Sequence, residues 1–404
     1  MDARATQPRI ADDATRSSFW PLTALAIGAF GIGTTEFSPM GMLRDIAQGV
    51  RVDIPTAGLL ISAYAIGVMA GAPVMTLLLA RLRRRTALMV LMSIFTIGNL
   101  LAAIAPDYWT LVAARIVTSL NHGAFFGIGS VVAASIVPRE RQASAIAAMF
   151  LGLTIATIGG VPAATWISQT IGWRQTFVGT AVLGLFAIAS LFLALPKGEP
   201  GRMPDIRREF GAIAQPSALI AMATTVLGAG AMFALYTYVT SVLVEFSHAG
   251  TGFITLALAL IGVGLTLGNT LGGRLADWSL DGAARLSLAA LGLIMVVLPL
   301  ALETKLGAGI GLLVWGMAAF AIVPPLQMRV MQVASAAPGL ASSVNVGAFN
   351  LGNALGAAIG SATLSLGLGY VAIPIAGGLL ALAGLALTFV GIEKTPAACP
   401  DPAT

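Results

Sequence analysis

The chain has 404 residues, of which 57% are hydrophobic and only 10% are charged, and its mean hydropathy is +0.90. A soluble domain buries one or two strongly apolar helices, so this composition excludes an ordinary globular domain and predicts an all-α membrane protein. The net charge of +5 does not indicate a nucleic-acid partner, because the basic residues fall between apolar segments, where membrane topology alone places them.

Charged residues separate twelve apolar segments, each of about 20 residues, the length that crosses a bilayer core about 30 Å thick. The predicted spans are residues 19–41, 56–79, 86–104, 109–136, 142–170, 174–195, 217–240, 253–275, 283–302, 306–328, 339–367 and 370–392. We therefore expect the bilayer to surround a bundle of twelve helices.

The longest polar stretch predicts a division of the chain into two six-helix halves. Residues 196–216, rich in proline and charge, read as a cytoplasmic linker between halves at 19–195 and 217–392, with tails at 1–18 and 393–404. Such a layout is typical of secondary transporters, which bind substrate between the halves near the bilayer midplane.

A faint internal repeat supports the two halves. An offset of 197 residues places Gly71 on Gly268 and Gly159 on Gly356.

The basic residues predict the orientation. If the amino terminus is cytoplasmic, 17 of the 22 Lys and Arg residues fall in inside segments, 4 in outside segments, and Arg115 lies within a span. Lys and Arg accumulate in cytoplasmic loops, so both termini are expected in the cytoplasm. The single cysteine, Cys399, excludes an internal disulfide.

Glu36 is the first candidate for function, because it lies about 17 residues into span one. An acid at that depth costs several kcal/mol unless it is protonated, paired or hydrated. The alternative is that the span ends earlier and Glu36 is interfacial. The preceding residue, Thr35, is a candidate for the substrate cavity.

Span four adds a cation and an imidazole. Arg115 is predicted at about the depth of Glu36, where a pair, direct or through water, lowers the cost of both charges; the alternative is an arginine that snorkels to the headgroups. His122 lies two turns deeper on about the same face, where an imidazole can relay protons or bind substrate. It can equally be a neutral histidine bonded to a neighbouring helix, as can its neighbour Asn121, a further cavity candidate.

Uncharged polar side chains inside the second half are the remaining cavity candidates. The amides of Asn345, Asn350 and Asn353 do not share one helical stripe, so some of this set must form bonds between helices instead. The cavity candidates in this half are Tyr236, Tyr238, Asn269, Gln327 and Asn345.

Several motifs in these segments resemble the major facilitator superfamily, in particular its branch of drug:proton antiporters and sugar and purine efflux proteins. GTTEFSPMGML in span one is similar to the acid-bearing motif of the branch, which implies proton coupling at Glu36. ARIVTSLNHGAFFG resembles the span-four motif, whose arginine, here Arg115, is linked to proton transfer. The resemblance covers residues 19–392 and implies a major facilitator fold.

The same resemblance implies gating residues. GLTIATIGGVPAATW is similar to the antiporter motif of span five, with its bend at Gly159, Gly160 and Pro162. The loop motif is intact as GGRLAD at Gly273 and Asp277, whereas the first half has Thr76 and Ala80 at the corresponding positions.

Because an acid stabilises a helix amino terminus, we expect Asp277 to contact residues 139–145, which include Arg141, when the cytoplasmic side is closed.

We therefore expect a proton-driven exporter of small organic molecules in the bacterial inner membrane, a monomer without cofactor or metal. No grouping of Ser, His and Asp indicates an enzyme. A proton symporter that imports a metabolite is the alternative of the same architecture, and a non-transporting membrane sensor is the alternative of a different class. Relatives in the branch export sugars, nucleosides or hydrophobic antibiotics, so the substrate class stays open.

Overall fold

The computed structural model describes residues 7–52, 54–197 and 206–390, which form helices and no strands. The helices are α1 Gln7–Val50, α2 Ile54–Leu78, α3 Arg84–Ile104, α4 Tyr108–Ser119, α5 His122–Ser135, α6 Gln142–Ile155, α7 Val161–Thr170, α8 Trp173–Ala194, α9 Ile206–Ile213, α10 Pro216–Ser247, α11 Thr251–Trp278, α12 Leu280–Leu302, α13 Lys305–Ala321, α14 Val323–Val333, α15 Pro338–Ser365 and α16 Ala372–Val390. The predicted all-α fold is confirmed.

Within the described ranges, these helices form twelve long segments that match the twelve predicted spans. Span four is α4 with α5, span ten is α13 with α14, and span five joins α6 to α7 through a π-helical turn at Ala156–Gly160. Ten segments are long and apolar enough to cross a membrane. The other two, α1 and α15, carry Glu36 and several amides and hydroxyls.

The two halves repeat one packing scheme. In the first half α1 packs against α6 and α8, α3 against α8, and α2 against α4. In the second half α10 packs against α15 and α16, α12 against α16, and α11 against α13. Each contact in the second half joins the two spans that lie six spans further along the chain than a contacting pair in the first half. The chain therefore has two halves of the same construction, as the linker predicted.

The glycines at which helices approach each other closely test the internal repeat of 197 residues. A Cβ on Gly71 would meet Leu120 of span four, and one on Gly268 would meet the Met317 carbonyl oxygen of span ten, so these two glycines occupy equivalent places. Gly159 and Gly356 do not. Open space surrounds Gly159, whereas Gly356 lies against the backbone of α10. The π-helical turn that ends at Gly160 gives span five a local geometry that α15 lacks.

The halves meet mainly where α2 and α5 pack against α15 and where α6 packs against α11. The α2–α15 and α6–α11 contacts approach the end of the bundle at which α1 begins and α16 ends, here called the tail side. At this end the linker helix α9 buries Ala212 and Ile213 in a cluster with Leu77 and Leu340, so residues of both halves are packed together. Residues 1–6 of the first predicted tail, residues 198–205 of the linker and the whole second tail, which includes Cys399, lie outside the described residues.

We expect Gly152→Ala to destabilise the first half, because a Cβ there would clash with the Ala26 carbonyl oxygen of α1. Overpacking of this kind costs about 1–3 kcal/mol. The melting temperature of the purified protein in detergent measures the effect. Gly159→Ala, seven residues along the same span and in open space, is the control and should melt like the wild type. Equal losses in both variants would contradict the packing argument.

Candidate functional site

The Glu36 carboxyl lies inside the first half, on α1, with only 13% of its side chain exposed. Its Oε2 is 3.9 Å from Nδ1 of His122, and the imidazole is itself 5% exposed. The side chain is thus enclosed by the protein, and the depth of Glu36 in the bilayer stays a prediction. Because ionised groups are costly at such a place, the protonation of this pair is the chemistry that the site offers.

His122 is positioned by a break in span four. Helix α4 ends at Ser119 and α5 begins at His122, so the imidazole lies at the first residue of a new helix. The Tyr64 hydroxyl of α2 lies 3.2 Å from Nδ1, the same nitrogen that faces Glu36. Phe126 packs beside the ring, with 5.2 Å between centroids. The sequence analysis did not include Tyr64, because hydropathy does not report which face of α2 meets α5.

Arg115 is 1% exposed, so it does not snorkel to the headgroups. Its Nη1 donates to the Thr35 carbonyl oxygen at 3.0 Å, and its Cζ lies 4.2 Å from the centroid of the Tyr64 ring. In the described part of the chain, no ion pair within 4.0 Å joins it to Glu36. Instead of the expected direct ion pair with Glu36, the Arg115 guanidinium binds the backbone carbonyl of Thr35, one residue before Glu36.

Thr35 anchors span one to two other spans. Its hydroxyl donates to Asn99 Oδ1 of α3 at 2.9 Å, and the Thr180 hydroxyl of α8 donates to the same oxygen at 3.0 Å. The Asn99 amide also donates to the Phe95 carbonyl oxygen. The network holds the backbone beside Glu36 in place, and Thr35 does not line the cavity described next.

A central cavity lies between the halves. Phe37 and Thr157 of the first half face Met232, Phe233, Tyr236, Leu265, Trp315 and Phe320 of the second. Its volume is about 10 Å³, room for about one water molecule. A cavity of this size cannot hold an organic substrate, so binding needs its walls to move apart. Tyr236 is the predicted cavity candidate that lies in its wall.

The other amide and phenol candidates of the second half mainly join helices. Asn269 donates to the Ala147 carbonyl oxygen of α6 across the two halves at 2.7 Å. Gln327 accepts from Asn345 at 2.6 Å and donates to Ser342. Tyr238 donates to the Ala357 carbonyl oxygen at 3.0 Å. These side chains lie outside the cavity wall.

Asn121 is a different case, because it is fully buried at the break in span four. Neither its oxygen nor its nitrogen has a hydrogen-bond partner among the described residues. Like the amides above, it does not line the cavity.

Asp277 makes the expected contact with the start of span five. Its two carboxylate oxygens accept from the backbone N–H groups of Ala143 and Ser144, at 2.8 and 3.1 Å. Gly273 lets α11 approach closely, since a Cβ there would lie 2.7 Å from Ala147. A carboxylate at the first turn of α6 stabilises that helix end, and here it also joins the halves.

The first half has a neutral contact one turn earlier. Thr76, at the position of Gly273, places its Oγ1 2.6 Å from Ser343 Oγ, so a hydroxyl pair joins α2 to α15, whereas Ala80 stands at the position of Asp277.

The remaining gating candidates line span five. Gly160 packs against Thr34 of α1, Pro162 follows the π-helical turn on an exposed face, and Arg141 is exposed immediately before α6.

Comparison with known proteins identifies the family. The model of the Major Facilitator Superfamily matches residues 25–361. The chain belongs to this superfamily. Its fold agrees with that of solved major facilitator proteins: the structure of the proton:xylose symporter XylE bound to 6-bromo-6-deoxy-D-glucose has a TM-score of 0.77 at 14% identity, covering 93% of this chain and 96% of that one.

Two relatives are similar to this chain over almost its full length. The inner membrane transport protein YdhP of Escherichia coli K12 is 60% identical over 377 residues, which is 93% of this chain and 97% of that protein. The chloramphenicol resistance protein of Streptomyces lividans is 33% identical over 392 residues, 95% and 99% of the two chains. The chain is thus a multi-pass membrane transporter of the major facilitator type.

Proposed function

We propose that the chain is a proton-coupled exporter of small organic molecules in the bacterial inner membrane, with both termini in the cytoplasm. The observation that carries the proposal is the Glu36 carboxyl, buried inside the first half with the His122 imidazole 3.9 Å away. Ionisation there is costly unless water or a partner stabilises the charge. Access of water from one side at a time therefore couples protonation to the conformation of the bundle.

Coupling to substrate follows from the position of the acid beside the cavity. Phe37, the residue after Glu36, forms part of the wall between the halves. A change in the charge of Glu36 therefore takes place at the residue next to one that forms the wall of the cavity. In the proposed cycle, protonation from outside and loading of substrate from inside compete, and deprotonation toward the cytoplasm resets the two halves.

The direction of transport is supported by composition and by a relative. The 17 to 4 distribution of basic residues favours a cytoplasmic tail side, where Arg81 and Arg83 are exposed. On this proposed orientation, the contact by which Asp277 joins the halves lies on the cytoplasmic side. A relative is named for chloramphenicol resistance, and a membrane transporter confers resistance by carrying the compound out of the cell.

Inverted inner-membrane vesicles test the proposal. With an acid interior established, addition of a transported compound to the medium should draw protons out of the vesicles and raise their internal pH, as reported by a fluorescent amine. A panel of sugars, nucleosides and aromatic antibiotics identifies the cargo, and vesicles without the protein are the control. Uptake of a compound with no change in internal pH would contradict proton coupling.

A further inference from the structure

We propose that Tyr64 is a positioning residue for proton coupling: its hydroxyl donates to Nδ1 of His122 and keeps a hydrogen off the nitrogen that faces Glu36. The inference rests on the proposed function and deepens it by naming the group that favours the protonated form of the buried carboxyl. It comes from the distances within this cluster and from the number of partners that a phenol and an imidazole nitrogen can have.

Nδ1 of His122 is closer to Tyr64 than to Glu36. The Tyr64 hydroxyl lies 3.2 Å from this nitrogen, whereas Glu36 Oε2 lies 3.9 Å away, beyond hydrogen-bond distance. A hydrogen bond from an imidazole N–H to a carboxylate is charge-assisted and draws the two atoms to about 2.7–2.9 Å. The hydroxyl is therefore the hydrogen-bond partner of Nδ1 in this structure.

The direction of this bond follows from the partners of the hydroxyl. Tyr64 is 2% exposed, and among the described residues its hydroxyl has no hydrogen-bond partner besides His122. If Nδ1–H donated to the phenol oxygen, the buried O–H would be left without an acceptor, which is unfavourable. The O–H is thus the donor, Nδ1 is the acceptor, and the imidazole carries its hydrogen on Nε2.

Four charged or titratable groups of the described chain surround Glu36. They are Tyr64 on α2, Arg115 on α4, His122 on α5 and Tyr236 on α10. The charges of Arg115 and Tyr236 interact with that of Glu36, but neither side chain bonds to the carboxyl within the described ranges. Nδ1 of His122 is therefore the atom whose hydrogen bonding can follow the protonation of the acid.

Release of the proton from Glu36 requires this arrangement to change. The carboxyl gives its proton to Nδ1 while Nε2 gives one to water, so the imidazole stays neutral and the new carboxylate gains an N–H donor. Tyr64 must leave Nδ1 first, because the unprotonated nitrogen has one lone pair. The bond from Tyr64 therefore stabilises the protonated form of Glu36 relative to the ionised form.

Tyr64→Phe tests the inference, because it removes the hydroxyl and keeps a ring beside Arg115. Solid-state NMR of the full chain in liposomes, with isotope-labelled histidine, shows which imidazole nitrogen carries the hydrogen. The chain has one other histidine, the exposed His248, whose signals are identified with His248→Gln. We expect wild-type His122 to carry its hydrogen on Nε2. Tyr64→Phe should raise the ratio of the Nδ1–H to the Nε2–H form about two- to twelvefold, the range for one net hydrogen bond.

Gradient-driven transport in inverted vesicles is the second readout. Without the Tyr64 hydroxyl, Nδ1–H is free to donate to the carboxylate, so Glu36 ionises at lower pH. The pH of half-maximal transport should therefore fall by about 0.3 to 1 unit in Tyr64→Phe, which is the same two- to twelvefold change on the pH scale. Tyr370→Phe removes a phenol hydroxyl from the second half and is the control, with both readouts unchanged.

A wild-type His122 with its hydrogen on Nδ1 would overturn the proposal, and this measurement decides even if Tyr64→Phe does not fold. So would an unchanged ratio in Tyr64→Phe, an equal change in Tyr370→Phe, or a changed ratio with an unchanged pH dependence of transport. The NMR measurement needs neither a proton gradient nor a cargo. Its failure is therefore distinct from failure of the proposed function, which proton movement in vesicles tests.

Discussion

Glu36→Gln is expected to abolish transport driven by a proton gradient while leaving substrate binding measurable. The amide keeps the size and polarity of the protonated acid, but it cannot release a proton. The carboxyl lies in the interior beside His122 and Tyr64, so substitution removes the titratable acid of this cluster without opening a cavity. Transport in inverted vesicles of the compound found by the screen measures the loss.

Glu245→Gln is the matched control for the coupling prediction. Glu245 lies near the end of α10 and is exposed, so its substitution removes one acid without touching the interior cluster. We expect this variant to transport like the wild type. Full gradient-driven transport by Glu36→Gln would show that the proton is carried elsewhere and would remove the main support for the proposed mechanism.

Asp277→Asn should favour opening of the tail side by about tenfold in population. The wild-type carboxylate accepts from two backbone N–H groups of the other half, whereas a neutral amide offers one acceptor oxygen and no charge for the end of α6. A loss of about 1.4 kcal/mol is just below the lower end of the range for one bond to a charged group and corresponds to the tenfold shift.

Disulfide formation at the other contact between the halves reports this shift. Cysteines at positions 76 and 343, in a Cys399→Ser background, replace the hydroxyl pair that lies 2.6 Å apart. Crosslinking should be slower when Asp277→Asn is added. Asp281→Asn is the control, because Asp281 is largely exposed and pairs with Arg329 of its own half. Equal crosslinking rates with and without Asp277→Asn would reduce Asp277 to a residue that only shapes its loop.

Much of the architecture was predictable because the bilayer imposes a length on each helix. Twelve apolar segments separated by charges gave the twelve spans, and the polar stretch at 196–216 gave the division into halves. The Asp277 contact was also predictable, since the intact GGRLAD motif ends span eight and span five starts on the same side. These inferences depend on position along the chain, which the sequence records directly.

Side-chain partners were less predictable because they depend on the rotation of each helix about its own axis. Counting residues placed Arg115 at the depth of Glu36, but its guanidinium binds the Thr35 carbonyl oxygen. Tyr64 and Asn99 were missed for the same reason, since a single phenol or amide in an apolar span has no pattern that marks its face.

The amides of the second half looked like ligand groups, because an amide has the same composition whether it faces a cavity or a neighbouring helix. The structure joins Gln327 to Asn345 and Asn269 to the backbone of α6. The aromatic residues that do line the cavity lie in apolar spans, where the sequence does not distinguish them from packing residues.

Two polar contacts between the halves at the tail side are of unequal strength. A carboxylate with two backbone donors joins α11 to α6, whereas a pair of neutral hydroxyls joins α2 to α15. Bonds to a charged group are about twice as strong as neutral ones. As far as these polar bonds decide, we expect the α2–α15 edge to separate before the α6–α11 edge, so that on the proposed orientation the cytoplasmic entrance opens from one side.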